Sequence, residues 1–239
     1  MMVIWIIAAI AAGFIKGLCG VGDAPVFSAI MSFAANNIDI SPVSVVPSLL
    51  TNIIISLQNR KSLQARIWIP TALLLIAGTI PGILLLKNTD TGTLKLVFGF
   101  FIIFVGALML YNELATKKMK PSKWLLLTVG VLAGVTSGIF GIGVLLVVYI
   151  SLTTEDMSSF KGNICAIYAA ENFVRLIMYI VFGLFTKTVL FHVALIMPFQ
   201  FAGVFLGMKA SSFLNERKAK LIVMAVLIFS GIMIVLTNL

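Results

Sequence analysis

The chain has 239 residues, 61% of them apolar and 10% charged, with a mean hydropathy of +1.15. A composition this apolar excludes an ordinary soluble domain and places the chain in a bilayer. The net charge of +9 would suggest nucleic acid for a soluble protein. Here the basic residues lie in short loops beside apolar runs, where cytoplasmic retention accounts for them, and no nucleic-acid partner is expected.

Eight apolar runs, near residues 2–34, 43–58, 67–86, 94–111, 124–151, 161–184, 188–208 and 219–238, approach or exceed the roughly 20 residues needed to cross hydrocarbon. No soluble domain fits between them. The first run lacks a basic leading region and a small-residue cleavage site, and is expected to be retained. It contains GFIKGLCGVGDAP, residues 13–25, with four glycines, a lysine and an aspartate where a spanning helix should be most apolar. Gly17, Gly20 and Gly22 permit positive φ and close backbone approach, so amides around Gly20, Val21 and Gly22 are candidates to face a bound anion, as helix N-termini do. Tight helix packing of the small-xxx-small kind is the structural alternative. A turn here would bring Lys16 and Asp23, seven residues apart, together or aim both at one cavity. In GDAP, Asp23 has the form of an N-cap with proline in the first turn. A fixed negative charge would oppose an anion, so a functional Asp23 is expected to take a proton or sodium ion. Asn52 in the second run and Gln200 in the seventh offer neutral hydrogen bonds to a substrate or to neighbouring helices.

The fifth run echoes the first. At an offset of 121, Gly13, Gly17, Gly20 and Gly22 land on Gly134, Gly138, Gly141 and Gly143, and GFIKGLCGVG is matched by GVTSGIFGIG. Gly141, Ile142 and Gly143 are then the counterparts of Gly20, Val21 and Gly22. At an offset of 125, Gly82 falls on Gly207, Leu94, Lys95 and Leu96 on Ala219, Lys220 and Leu221, and Gly106 on Gly231. The sequence therefore predicts two similar membrane repeats, 1–118 and 119–239, forming one transmembrane domain.

Loop charge gives the orientation. Arg60, Lys61 and Arg66, then Lys117, Lys118, Lys120 and Lys123, then Lys209, Arg217, Lys218 and Lys220 should all be cytoplasmic. Two runs separate the first and second groups, but three separate the second and third, which would place those on opposite sides. The conflict disappears if residues 124–151 form two half-helices that enter and leave by one face at their glycine-rich middle. If residues 2–34 do the same, each half has three crossings and one re-entrant hairpin, and the halves are inverted because three is odd. The fold expected is an all-α integral membrane protein of eight hydrophobic segments in two inverted-topology repeats, the first segment of each broken or re-entrant at a glycine-rich turn. Residues 35–42 and both termini would lie outside, with Glu155, Asp156 and Lys161 inside. Inverted repeats with broken helices are the architecture of many secondary transporters.

The sixth run holds ENFVR, with Glu171 and Arg175 at i and i+4 on one helix face and Asn163 and Asn172 near by. Either the pair neutralises its own burial, or Arg175 offers its fork of donors to an oxyanion while Glu171 titrates. His192, the only histidine, falls near the predicted outer end of the seventh run, where an interfacial position without a role accounts for it. Cys19 and Cys165 both lie in apolar runs and define neither a disulfide framework nor a zinc spacing. No cofactor or metal is expected.

GLCGVG and SGIFGIG near the start of each half, VVYISL at 147–152, NRKSLQAR after the second run and FKGN at 160 together resemble the sulfite exporter TauE/SafE family of membrane transporters, over essentially the whole chain. Asp23 and Val144 stand where that family's pattern has glycine, and Ala29 where it has proline. The resemblance implies a plasma-membrane carrier of small anions, often sulfur-containing ones such as sulfite or sulfoacetate, and frequently an exporter. GVGD also matches the Gly-x-Gly-Asp of intramembrane aspartyl proteases, which need a second aspartate to share a proton; Asp39, Asp90 and Asp156 all read as loop residues. No Walker glycine-lysine loop is present.

The function expected is a secondary transporter rather than an enzyme. Lys16, Gly20, Val21, Gly22, Asn52, Gly141, Ile142, Gly143, Asn163 and Arg175 are the candidates to surround the anion, where the two turns meet near mid-membrane. Asp23 and Glu171 are the candidates for the coupling proton or sodium ion. A passive anion channel is the alternative, separated from a carrier by saturation and counter-ion dependence. The bilayer is the other partner, and assembly into a homo-oligomer is compatible with the sequence.

Overall fold

The computed structural model describes residues 2–35, 37–114, 122–143, 145–154 and 156–210, and residues 224, 225, 228, 229, 231, 232 and 234–236 of the last run. Lys117, Lys118, Lys120, Val144, Glu155, Arg217, Lys218 and the stretch Ala219 to Leu221 lie outside the described residues. Among the described residues the regular elements are all helical: α1 Met2–Cys19, α2 Asp23–Met31, α3 Asn37–Gln58, a short 3-10 turn Arg60–Ser62, α4 Ala65–Asn88, α5 Thr91–Leu114, α6 Lys123–Phe140, α7 Leu145–Thr153, α8 Met157–Val181 and α9 Lys187–Ala210. Six of them, α1, α3, α4, α6, α8 and α9, are long and apolar enough to cross a bilayer. The fourth run provides a shorter apolar stretch, Gly92–Leu108 in α5, and the eighth is described only in part.

Both long runs are interrupted where their glycines fall. Gly20 and Gly22 take φ of 81° and 98°, and Gly141 takes 75°, a left-handed conformation that costs a residue with a side chain about 1–2 kcal/mol. Helix α1 therefore stops at Cys19 and α2 starts at Asp23, while α6 stops at Phe140 and α7 starts at Leu145. The arms are unequal, which corrects the picture of paired half-helices. The 18 residues of α1 and α6 and the 9 of α2 and α7 correspond to about 27 Å and about 13 Å of rise. Helix α3 also begins six residues before its apolar run, so Asp39 sits in a first helical turn rather than a loop, where its charge complements the helix dipole. Asp90 and Asp156 cap the starts of α5 and α8, accepting the backbone N–H of Thr93 at 2.7 Å and of Ser159 at 2.8 Å.

Glycine contact sets the packing. A Cβ added at Gly13, Gly17, Gly203 or Gly207 would strike the backbone carbonyl of Gln200, Val204, Ile10 or Phe14 respectively, so α1 and α9 run parallel with their backbones touching. Helices α4 and α6 do the same, with Gly78 on the Val131 carbonyl, Gly82 on Val135, Gly134 on Leu75 and Gly138 on Thr79. Gly13 and Gly134, and Gly17 and Gly138, are the pairs related by 121 residues; Gly78 and Gly203, and Gly82 and Gly207, are related by 125. Each of these parallel pairs thus joins a helix from residues 1–118 to one from residues 119–239. Helix α5 meets the last run in turn, Gly99 against Val235 and Gly106 against Ile228.

The ends of the bundle follow from these pairings. The turn after α3 sits on the start of α8: Ser158 Oγ donates to Asn59 Oδ1 at 2.8 Å and the Gln64 N–H to Asn163 Oδ1 at 2.9 Å. Helix α6, parallel to α4, starts at this same end, which carries Arg60, Lys61 and Lys123.

Candidate anion site

The first turn folds the last turn of α1 against the first turn of α2, with α3 alongside. Lys16, 1% exposed, donates from Nζ to Asp23 Oδ1 at 3.2 Å and to Asn52 Oδ1 at 2.5 Å. Asp23 Oδ2 accepts from Ser48 Oγ at 2.8 Å. Ser48 and Asn52 are i and i+4 on α3, and so present one face to the pair. Asp23 is not an N-cap: Gly22 holds that position, with no side-chain cap, and the Asp23 carboxylate turns to Lys16 and Ser48. An unpaired ammonium at this depth would cost several kcal/mol, so each partner keeps the other in place.

A second charged group lies beside the second turn. Arg175 and Glu171 are each 1% exposed, but Arg175 Nη1 stands 3.6 Å from Glu171 Oε1, beyond hydrogen-bond reach. Ser137 fills the gap. Its hydroxyl donates to Glu171 Oε1 at 3.0 Å and accepts from Arg175 Nη1 at 3.0 Å, while its carbonyl accepts from the same nitrogen at 3.2 Å. Thr79 Oγ1 lies 3.3 Å from Glu171 Oε1. Ser137 occupies, at the offset of 121, the place that Lys16 holds in the first half. Among the described residues, Glu171 Oε2, Arg175 Nε and Tyr179 Oη are buried without a hydrogen-bond partner.

One cavity of about 40 Å³ joins the two groups. Nine of the twelve residues singled out by sequence line it: Lys16, Val21, Gly22, Asp23, Asn52, Gly141, Gly143, Glu171 and Arg175. The other three do not. The Gly20 carbonyl accepts from Cys165 Sγ at 3.4 Å. Ile142 is buried in the apolar core with its carbonyl on Thr136. Asn163 links α8 to the turn after α3, donating to the carbonyls of Ser159 at 2.8 Å and Ser62 at 3.2 Å. Gln200 packs with α9 on α1 near Gly13, and His192 stacks on Trp5 with centroids 4.3 Å apart.

The turns do not sit at one depth. Gly20 lies beside Cys165, and a Cβ on Gly141 would stand 3.7 Å from Arg175 Nη1, ten residues further along α8 or about 15 Å of rise. The cavity runs between them. Tyr168, which the sequence reading overlooked, bridges the interval: its hydroxyl donates to the Gly143 carbonyl at 2.8 Å, and its ring centroid is 6.0 Å from Lys16 Nζ. Ser48, Ser137 and Asn172 complete the polar lining. Ser137 was within reach of sequence, since the repeat offset sets it on Lys16. Ser48 gave no such signal, because isolated serine hydroxyls in apolar helices usually bond their own backbone, and Tyr168 reads as one more aromatic residue of an apolar run.

No curated protein and no solved structure matches the chain. The family model described as sulfite exporter TauE/SafE matches it over residues 5–234. With nearly the whole chain inside that match, the protein belongs to the sulfite exporter TauE/SafE family, whose members are membrane transporters and not enzymes.

Proposed function

We propose that the chain is an ion-coupled secondary transporter, working as an exporter of small anions, with sulfur oxyanions such as sulfite or organosulfonates such as sulfoacetate as substrates. The observation that carries this is the pair of buried cations, Lys16 and Arg175, lining one cavity walled by the backbone of Gly22 and Gly141. Each cation has its own carboxylate, so the cavity is neutral when both acids are ionised. An anion joining it leaves an uncompensated buried charge, which a proton or sodium ion at Asp23 or Glu171 removes. Coupling then follows from charge balance. The cavity's volume of about 40 Å³ exceeds the roughly 10–15 Å³ needed to hold one water, the scale of a small anion.

The matched glycine offsets, with each parallel pair drawn from both halves, support two inverted repeats with re-entrant first segments, the architecture that allows alternating access. In the plasma membrane the end bearing Arg60, Lys61, Lys123 and Lys209 would be cytoplasmic. Export would then run from the Lys16 group toward the Arg175 group. Calorimetric titration of the purified protein with sulfite tests the site. Lys16→Met and Arg175→Met should each weaken binding by at least about tenfold, the scale of one lost charge-assisted hydrogen bond, and wild-type affinity in both would show that the anion binds elsewhere.

A further inference from the structure

The group at the second turn is unfinished in a particular way. Glu171 Oε1 already accepts from the hydroxyls of Ser137 and Thr79, and its Oε2 remains buried with no partner. One turn along α8, Arg175 Nε is a buried donor with no acceptor. Both side chains line the same cavity. With Glu171 ionised beside Arg175, a ligand completing this pair accepts from Arg175 and donates to Glu171. A fully deprotonated oxyanion can do only the first, and would set its own negative oxygen against the carboxylate. A hydrogen oxyanion does both.

Resting on the anion reading above, we infer that the species bound at this site is a monovalent oxyanion carrying its own hydrogen, hydrogensulfite rather than the sulfite dianion, with its hydroxyl on Glu171 Oε2 and an oxygen on Arg175 Nε. One proton travels on the substrate, held by Glu171 acting as an acceptor, and the remaining charge of the monovalent anion is balanced by the coupling ion at Asp23. The charged and titratable groups around Glu171 are Arg175, Tyr168 and Tyr179 on its own helix and Lys16 and Asp23 across the cavity. Helices α4 and α6 present Thr79 and Ser137, which do not titrate in the relevant range.

Hydrogensulfite and methanesulfinate form the probe pair, alike in charge and heavy-atom count, with a methyl group replacing the hydroxyl. Titrated into the purified wild-type protein below the pKa of hydrogensulfite, methanesulfinate should bind about ten- to hundredfold more weakly, because it leaves the buried acceptor unsatisfied. It should stay weak at every pH, while sulfite binding should fall as pH rises through the ligand's own pKa. Glu171→Gln, whose amide both donates and accepts, should keep binding sulfite above that pKa. Glu171→Asp, which keeps the acceptor, should retain the wild-type preference. If methanesulfinate binds as tightly as hydrogensulfite and loses affinity over the same pH range, the proton belongs to Glu171 and the inference fails while the anion site stands. If neither probe binds the wild-type protein, the anion site itself fails. The wild-type comparison decides the matter even if the variants do not fold.

Discussion

Gly17 and Gly141 belong to the same repeated motif and meet different constraints. A Cβ on Gly17 would strike the Val204 carbonyl, whereas one on Gly141 meets nothing nearer than Ser41 Oγ at 3.6 Å and is opposed only by a φ of 75°. Gly17→Ala should therefore destabilise through overpacking by about 1–3 kcal/mol or more, and Gly141→Ala by about 1–2 kcal/mol through backbone strain. Gly141→Val should insert and purify yet bind no sulfite, because its branches enter the cavity beside Arg175. Thermal melting measured beside sulfite binding checks this; a Gly17 variant that melts like wild type would remove the packing explanation. The buried acid beside Arg175 gives a second test. Arg175→Met strands Glu171 as an unpaired charge, a loss of about 3–5 kcal/mol, and adding Glu171→Gln should restore the melting temperature without restoring binding. Recovery of both would make the pair structural.

Helix breaks were legible from glycine spacing, because few other residues tolerate positive φ. Which helices those glycines bring together was not, since an offset of 121 or 125 relates residues without saying that α1 meets α9 and α4 meets α6. The polar start of α3, NIDISP, read as loop because apolar periodicity was the only guide, and it folds as helix with Pro42 and Pro47 inside. The unequal arms escaped notice because a run of 28 apolar residues, 124–151, carries no mark of where its turn lies in depth. The pairing of the turn after α3 with the start of α8 makes a topological prediction. In a background with Cys19 and Cys165 replaced by alanine, Lys61→Cys and Ser158→Cys should react with an impermeant thiol reagent from the cytoplasmic side, and Asp39→Cys from the outside. Labelling of Ser158→Cys and Asp39→Cys from the same side would mean that α6 and α7 together cross the membrane once.

Across the whole molecule, two broken runs bring a buried cation, its carboxylate and bare backbone to each end of one cavity, the Lys16 group nearer the basic end of the bundle and the Arg175 group toward the other. Two buried ion pairs on one small cavity are the basis for the proposed carrier, which would move one small anion at a time with a compensating charge. Sulfite counterflow in proteoliposomes tests this most directly: vesicles preloaded with unlabelled sulfite are diluted into a trace of labelled sulfite, and label uptake is followed. The expected result is a transient accumulation above equilibrium that saturates with sulfite concentration and is absent in Lys16→Met and Arg175→Met. Uptake that never exceeds equilibrium, rises linearly with concentration and is unchanged in both variants would contradict a carrier with its site between the turns.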